Sequence, residues 1–164
     1  MIFDFKKHNT DLYNTLLHLS RNLYFYNKIN LKDSFETRIY LMFFHFSIML
    51  LIFRKRKENF PQKYYDSLFF CIENNLRESG FGDISVNKKM KIFNKIFYDI
   101  LIKINLSKNS FKINKNLILD YFIDLKELNN KKYRLFDEYF AEFYNFCFEL
   151  SGKNMIKDAL KFEV

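Results

Sequence analysis

Apolar residues recur at three- and four-residue steps along most of the chain, and no stretch sustains the period-two alternation of a half-buried strand. The first helical run spans roughly Thr10 to Leu23, with Leu12, Leu16, Leu19 and Leu23 on one face. The second begins at Asp33-Ser34-Phe35-Glu36, where Asp33 is placed to accept a free backbone N–H and Glu36 to return the bond, as in a capping box. It continues to about Lys57 and is apolar nearly all round, as a helix at the centre of a bundle should be. Its end, Arg54-Lys55-Arg56-Lys57, sets cations against the negative pole of the helix dipole. Pro61 suits the first turn of a third helix, whose apolar face is Tyr65, Leu68, Phe69, Ile72 and Leu76. Gly80 supplies a left-handed stop. Ser85 is placed to cap a fourth helix with Val86, Met90, Phe93, Phe97, Ile100 and Ile104 inward. Two more helices follow, about Asn114 to Leu128 and Tyr133 to Leu150, and the twelve residues after Ser151-Gly152 read as a short helix or a tail. The pattern predicts an all-α fold: a single compact bundle of about six helices over residues 1–164, without a sheet.

Composition narrows the chemistry. Hydrophobic residues at 49% and aromatics at 20% exclude a disordered chain, and 164 residues suffice for a substantial core. Three glycines are too few for a Walker A loop or a dinucleotide fingerprint. His8, His18 and His45 form no i,i+3 or i,i+4 pair, and neither HExxH nor GxSxG occurs. No catalytic residue, metal or cofactor is therefore expected, and the chain reads as non-enzymatic. Cys71 and Cys147 match no CxxC or zinc spacing and read as buried thiols in a reducing compartment.

The net charge of +8 has two readings. One is an anionic partner. The other is codon bias, since Lys, Asn, Ile and Phe are all favoured by A/T-rich codons. Arginine, the residue best suited to bidentate base contacts, is scarce, so DNA is not expected as a partner. The opening MIFDFKKHNT shows neither an apolar signal core nor an Arg-rich presequence. The longest uncharged run, Ile39 to Phe53, is 15 residues long and contains His45 and Ser47, which is short of the roughly 18 to 20 apolar residues of a membrane span.

Three stretches, in order, carry a resemblance. Ser20-Arg21 is followed by Phe25-Tyr26; Asp33-Ser34-Phe35-Glu36-Thr37-Arg38 runs on to Phe44-His45-Phe46; and LRESGFGDISV, from Leu76 to Val86, leads into Lys88-Lys89 and later Phe97-Tyr98. Over residues 12 to 104 this set resembles the ubiquinol–cytochrome c chaperone family, while the helices of residues 105 to 164 match nothing in it. The chain departs from the family at Thr37, at Ile39-Tyr40 and at Asp99-Ile100. The resemblance implies an assembly factor that binds newly made cytochrome b and aids assembly of ubiquinol–cytochrome c reductase. It also implies work near the membrane or the ribosome. Without a presequence, the expected setting is the bacterial cytoplasm, peripheral at the inner face of the membrane.

Candidate partner-binding residues follow from both readings. Arg38 and His45 are seven apart and share a helical face, so they either line one polar pocket or serve separately, His45 as a hydrogen-bonded core histidine and Arg38 as the partner of a nearby carboxylate. Gly80 and Gly82 provide backbone geometry, and Asp83 is placed to satisfy amides of the loop or helix start. The same loop is a candidate client contact, with Arg77 and Glu78 contributing or bracing it. Lys88, Lys89, Lys91 and Lys95 form a basic patch that is either solvated or aimed at anionic lipid or ribosomal RNA.

Overall fold

The apolar periodicity becomes helix almost throughout. A computed structural model describes residues 10–104, 106–107, 110–126 and 130–164. Among them run α1 (Asp11–Ser20), α2 (Phe35–Lys55), α3 (Gln62–Glu78), α4 (Asp83–Lys103), α5 (Lys115–Tyr121), α6 (Asn130–Phe148) and the single turn α7 (Met155–Asp158). The fold is all-α. His8 and Leu128, the latter at the expected end of the fifth helix, lie outside the described residues.

Several boundaries differ from expectation for local reasons. The first helix stops at Ser20, whose hydroxyl donates to the Leu17 carbonyl at 2.8 Å. A π-turn over Tyr24–Lys28 follows and drives Phe25 fully into the core. Ser34, not Asp33, caps α2: its backbone is extended, and its Oγ accepts from the Thr37 N–H at 3.2 Å. Asp33 pairs instead with Arg38, at 3.6 Å. Gly82, not Ser85, precedes the first residue of α4, so Ser85 falls inside the opening turn. The expected absence of a sheet needs one correction. Leu106–Ser107 and Ser110–Phe111 pair antiparallel, a ladder too short to leave any alternation in the sequence.

The bundle is built around α2. Thirteen of its 21 residues are buried, and α1, α4 and α6 pack against it. The uncharged run is only part of this helix, which by length and composition does reach what a membrane span requires; 67% of its most apolar window is buried within the bundle. Aromatic rings fill both flanks. Phe43, Phe46, Phe69 and Phe97 meet at centroid distances of 5.4–5.8 Å on the α3–α4 side. Phe44, Phe136 and Phe140 meet at 4.9–5.7 Å on the α6 side. Each such pair adds about 0.5–1.5 kcal/mol beyond area burial.

Arg56 locks the far end of α2 to α6. Its guanidinium donates to the Leu150 carbonyl at 2.7 Å and to the Phe148 carbonyl, and it lies 5.2 Å from the centre of the Phe148 ring. Cys147 is fully buried, which pushes its thiol up to about 12. Cys71 is only half-buried, so the expectation of two buried thiols fits Cys147 alone.

Candidate functional site

Five of the expected binding residues, Arg77, Glu78, Gly80, Gly82 and Asp83, stand at the α3–α4 turn, and local chain chemistry builds it. Ser79 ends α3, Gly80 adopts φ +93°, and two backbone bonds close the cap. The Gly80 N–H donates to Arg77 O at 3.0 Å and the Phe81 N–H to Leu76 O at 3.3 Å, the two bonds of a Schellman motif. Arg77 then spans the turn, donating to the Asp83 carboxylate and to Glu73 at 3.0 Å. The Asp83 side chain thus braces Arg77 rather than capping amides. Gly82 has φ −71° and nothing within 4 Å of where a Cβ would stand, so its place needs no glycine.

Beside the turn lies a cleft of about 270 Å³ between α1, α2 and α3. Leu17 and the buried Ile39 and Met42 line it, and with Arg21, Arg38, Glu78 and Asn75 around them its exposed surface is mainly polar and charged. Asn75, which donates to the Tyr13 hydroxyl, ties α1 to α3 across it. Close by, the Tyr26 hydroxyl donates to Ser20 O at 2.7 Å; burial, helped by the Asp33 carboxylate, pushes it up to about 12. The structure therefore brings together Arg38 and Glu78 in one cleft, with the Arg77–Asp83 turn at the end of α3 that supplies Glu78. Tyr13, Leu17 and Arg21 belong to the cleft but were not singled out together. Their i, i+4, i+8 spacing on one face was the available signal.

His45 does not join this cleft. It is fully buried among Phe25, Phe140 and Phe143. Its Nδ1 stands 2.6 Å from the Leu41 carbonyl, which can only accept, so Nδ1 carries the proton. Nε2 then accepts from the Tyr139 hydroxyl at 2.8 Å. Burial pulls the imidazole down to about 3 despite the opposing bond to Leu41. This is the satisfied core histidine, and the shared pocket with Arg38 is not formed.

The lysines divide in the same way. Lys88, Lys91 and Lys95 are exposed on the outer face of α4, whereas Lys89 is half-buried with its Nζ 4.7 Å over the Phe81 ring. At the other end of α1–α3 a larger groove of about 730 Å³ is lined by Phe53, Phe60, Tyr64 and Ile156, with Lys63, Lys153 and Lys157 beside them. Among the described residues no group of three or more His, Cys, Asp or Glu is arranged to hold a metal.

The sequence model of the ubiquinol–cytochrome C chaperone family matches residues 27–115, more than half of the 164-residue chain, and the chain belongs to that family. By class it is a chaperone of complex III assembly. The match takes in all of α2, α3 and α4, and with them the turn and most of the cleft. It leaves out Ser20-Arg21 and Phe25-Tyr26, and it reaches past residue 104 to the start of α5. Comparison with curated proteins and with solved structures yields no match.

Proposed function

We propose that this chain is a non-enzymatic assembly chaperone that binds newly made cytochrome b and aids its entry into ubiquinol–cytochrome c reductase. Its place is the bacterial cytoplasm, peripheral at the inner face of the membrane. The observation that carries this reading is the family match over residues 27–115, which contains both Arg38 and Glu78 of the cleft and the whole Arg77–Asp83 turn. The cleft's chemistry supports it. Arg21 and Arg38 at a cleft whose exposed surface is mainly polar suit a client segment that presents a carboxylate, since a guanidinium pairs with carboxylates through its fixed fork. Arg38 is only 3.6 Å from an exposed Asp33, a loose pair that a client carboxylate can replace.

A second reading, a lipid- or ribosome-binding helical module without a dedicated client, draws on the exposed lysines of α4. Co-purification from detergent-solubilised membranes separates the two. The tagged chain should bring down cytochrome b, and an Arg21→Glu/Arg38→Glu variant with an unchanged helical spectrum should lose most of it. Absence of cytochrome b with the unaltered chain would reject the client reading.

A further inference from the structure

The outer face of α4 carries more than charge. Ile84, Lys88, Lys91, Lys95, Tyr98 and Ile102 follow one another at steps of four and three, so they form a single stripe about 27 Å long. Its apolar members are strongly exposed: Ile84 at 73%, Tyr98 at 50% and Ile102 at 71%, with Ile92 at 55% beside Lys88 and Lys95. Single exposed apolar residues are ordinary on a soluble surface, but four on one helix face, interleaved with cations, are not the usual solvated pattern.

Nothing on α4 neutralises those cations. Its two acids are engaged elsewhere: Asp83 holds Arg77, and Asp99 holds Lys103 at 2.6 Å and accepts from the Tyr121 hydroxyl. Lys88, Lys91 and Lys95 make no ion pair among the described residues.

We infer that the α4 stripe is the surface by which this protein lies on an anionic lipid bilayer, the helix axis parallel to the membrane plane. Ile84, Ile92 and Ile102 enter the boundary between headgroups and acyl chains, and the lysine stems extend so that their ammonium groups reach the phosphates. Tyr98 suits the same depth, having an apolar ring and a polar tip. The face favours lipid over RNA. It contains no arginine to fork onto phosphates, and isoleucines have no use along a nucleic-acid backbone. The inference rests on the membrane-side location proposed above, and it gives that location a contact surface.

Vesicle co-sedimentation of the full chain tests it. The chain should pellet with vesicles of equal parts phosphatidylglycerol and phosphatidylcholine, and not with phosphatidylcholine alone. A Lys88→Gln/Lys91→Gln/Lys95→Gln variant should bind about a hundredfold more weakly, from about fivefold per lysine. Ile84→Ser/Ile102→Ser should lose about tenfold or more and retain the salt dependence, because it removes apolar area and no charge. All these positions are exposed, and circular dichroism checks that the variants fold. The chain has no tryptophan, so Tyr98→Trp supplies a lone reporter whose emission should shift to the blue on anionic vesicles.

Equal binding to both vesicle types, unweakened binding by both variants, or an unshifted emission would overturn the inference. So would lysine-dependent binding to ribosomal RNA by a chain that ignores vesicles. No client is present in these measurements. A negative result therefore rejects this surface alone, while capture of cytochrome b is judged by the co-purification.

Discussion

Tyr139→Phe removes one oxygen atom from the core and leaves the His45 Nε2, fully buried and 2.8 Å from the lost hydroxyl, without a partner. Stranding such a group costs about 1–3 kcal/mol. His45→Leu strands the Tyr139 hydroxyl instead and should cost at least as much, since it also gives up ring contacts at 4.8 Å with Phe140 and Phe143. Removing both partners strands neither, so His45→Leu/Tyr139→Phe should cost less than the two single changes together, by about 1–2 kcal/mol.

The pH dependence follows from the same site. The unfolded histidine takes up a proton below its ordinary value of 6.5, whereas the folded one, desolvated by burial, does so only near 3. The unfolded state thus binds more protons across that interval, and stability falls as pH falls. The loss approaches about 1.4 kcal/mol per pH unit once the unfolded histidine is protonated, and comes to about 2 kcal/mol between pH 7 and 5. Asp137, raised chiefly by burial, acts with the opposite sign in the range where carboxylates titrate. Urea unfolding followed by far-ultraviolet circular dichroism at about pH 7 and pH 5 measures both effects. Additive single changes, or a pH slope that persists in His45→Leu, would refute the reasoning.

Gly80→Ser should cost about 1 kcal/mol because Gly80 sits at φ +93°, whereas Gly82→Ser should be neutral or stabilise by a few tenths, since serine suits the N-cap that Gly82 occupies. Equal losses at the two positions in urea unfolding would contradict this. Arg56→Ala, which frees the Leu150 and Phe148 carbonyls, should cost about 2–3 kcal/mol, and Arg56→Lys should recover only part because an ammonium lacks the fork. Full recovery by lysine in the same assay would count against the clamp. Asp83→Ala should change stability by less than about 1 kcal/mol, as an ion pair whose acid is 83% exposed is worth little. Weakened cytochrome b capture by that folded variant would mark the turn as a contact, and normal capture would move the contact elsewhere.

The central helix was the most legible element, because a 21-residue segment apolar on every side has few places to go but the middle of a bundle. Its cap was not. Asp33 and Ser34 are both competent caps, and Arg38 one turn later draws Asp33 away. The same locality defeated the Arg38–His45 pocket. Seven residues bring two side chains to one azimuth but also carry them about 10 Å along the axis. At that remove α2 meets different neighbours: Arg38 faces the cleft between α1 and α3, and His45 faces α6. Its partner Tyr139 lies 94 residues further on, in a stretch without family resemblance, where no spacing could announce it. The π-turn after α1 was equally silent, since its sequence, YFYNK, lies beyond the leucine periodicity that ends at Leu23 and carries no spacing of its own. The turn at Gly80 was readable because glycine at a helix end has a specific backbone use; the charge linkage of Arg77 to Asp83 across it needed coordinates.

Deletion of the gene, with assembled ubiquinol–cytochrome c reductase and cytochrome b transcript quantified side by side, tests the chaperone reading most directly. The account predicts that assembled reductase falls while the transcript stays at its normal level, and that the intact chain supplied in trans restores assembly. Reductase assembled to the normal level in the deletion strain would contradict it.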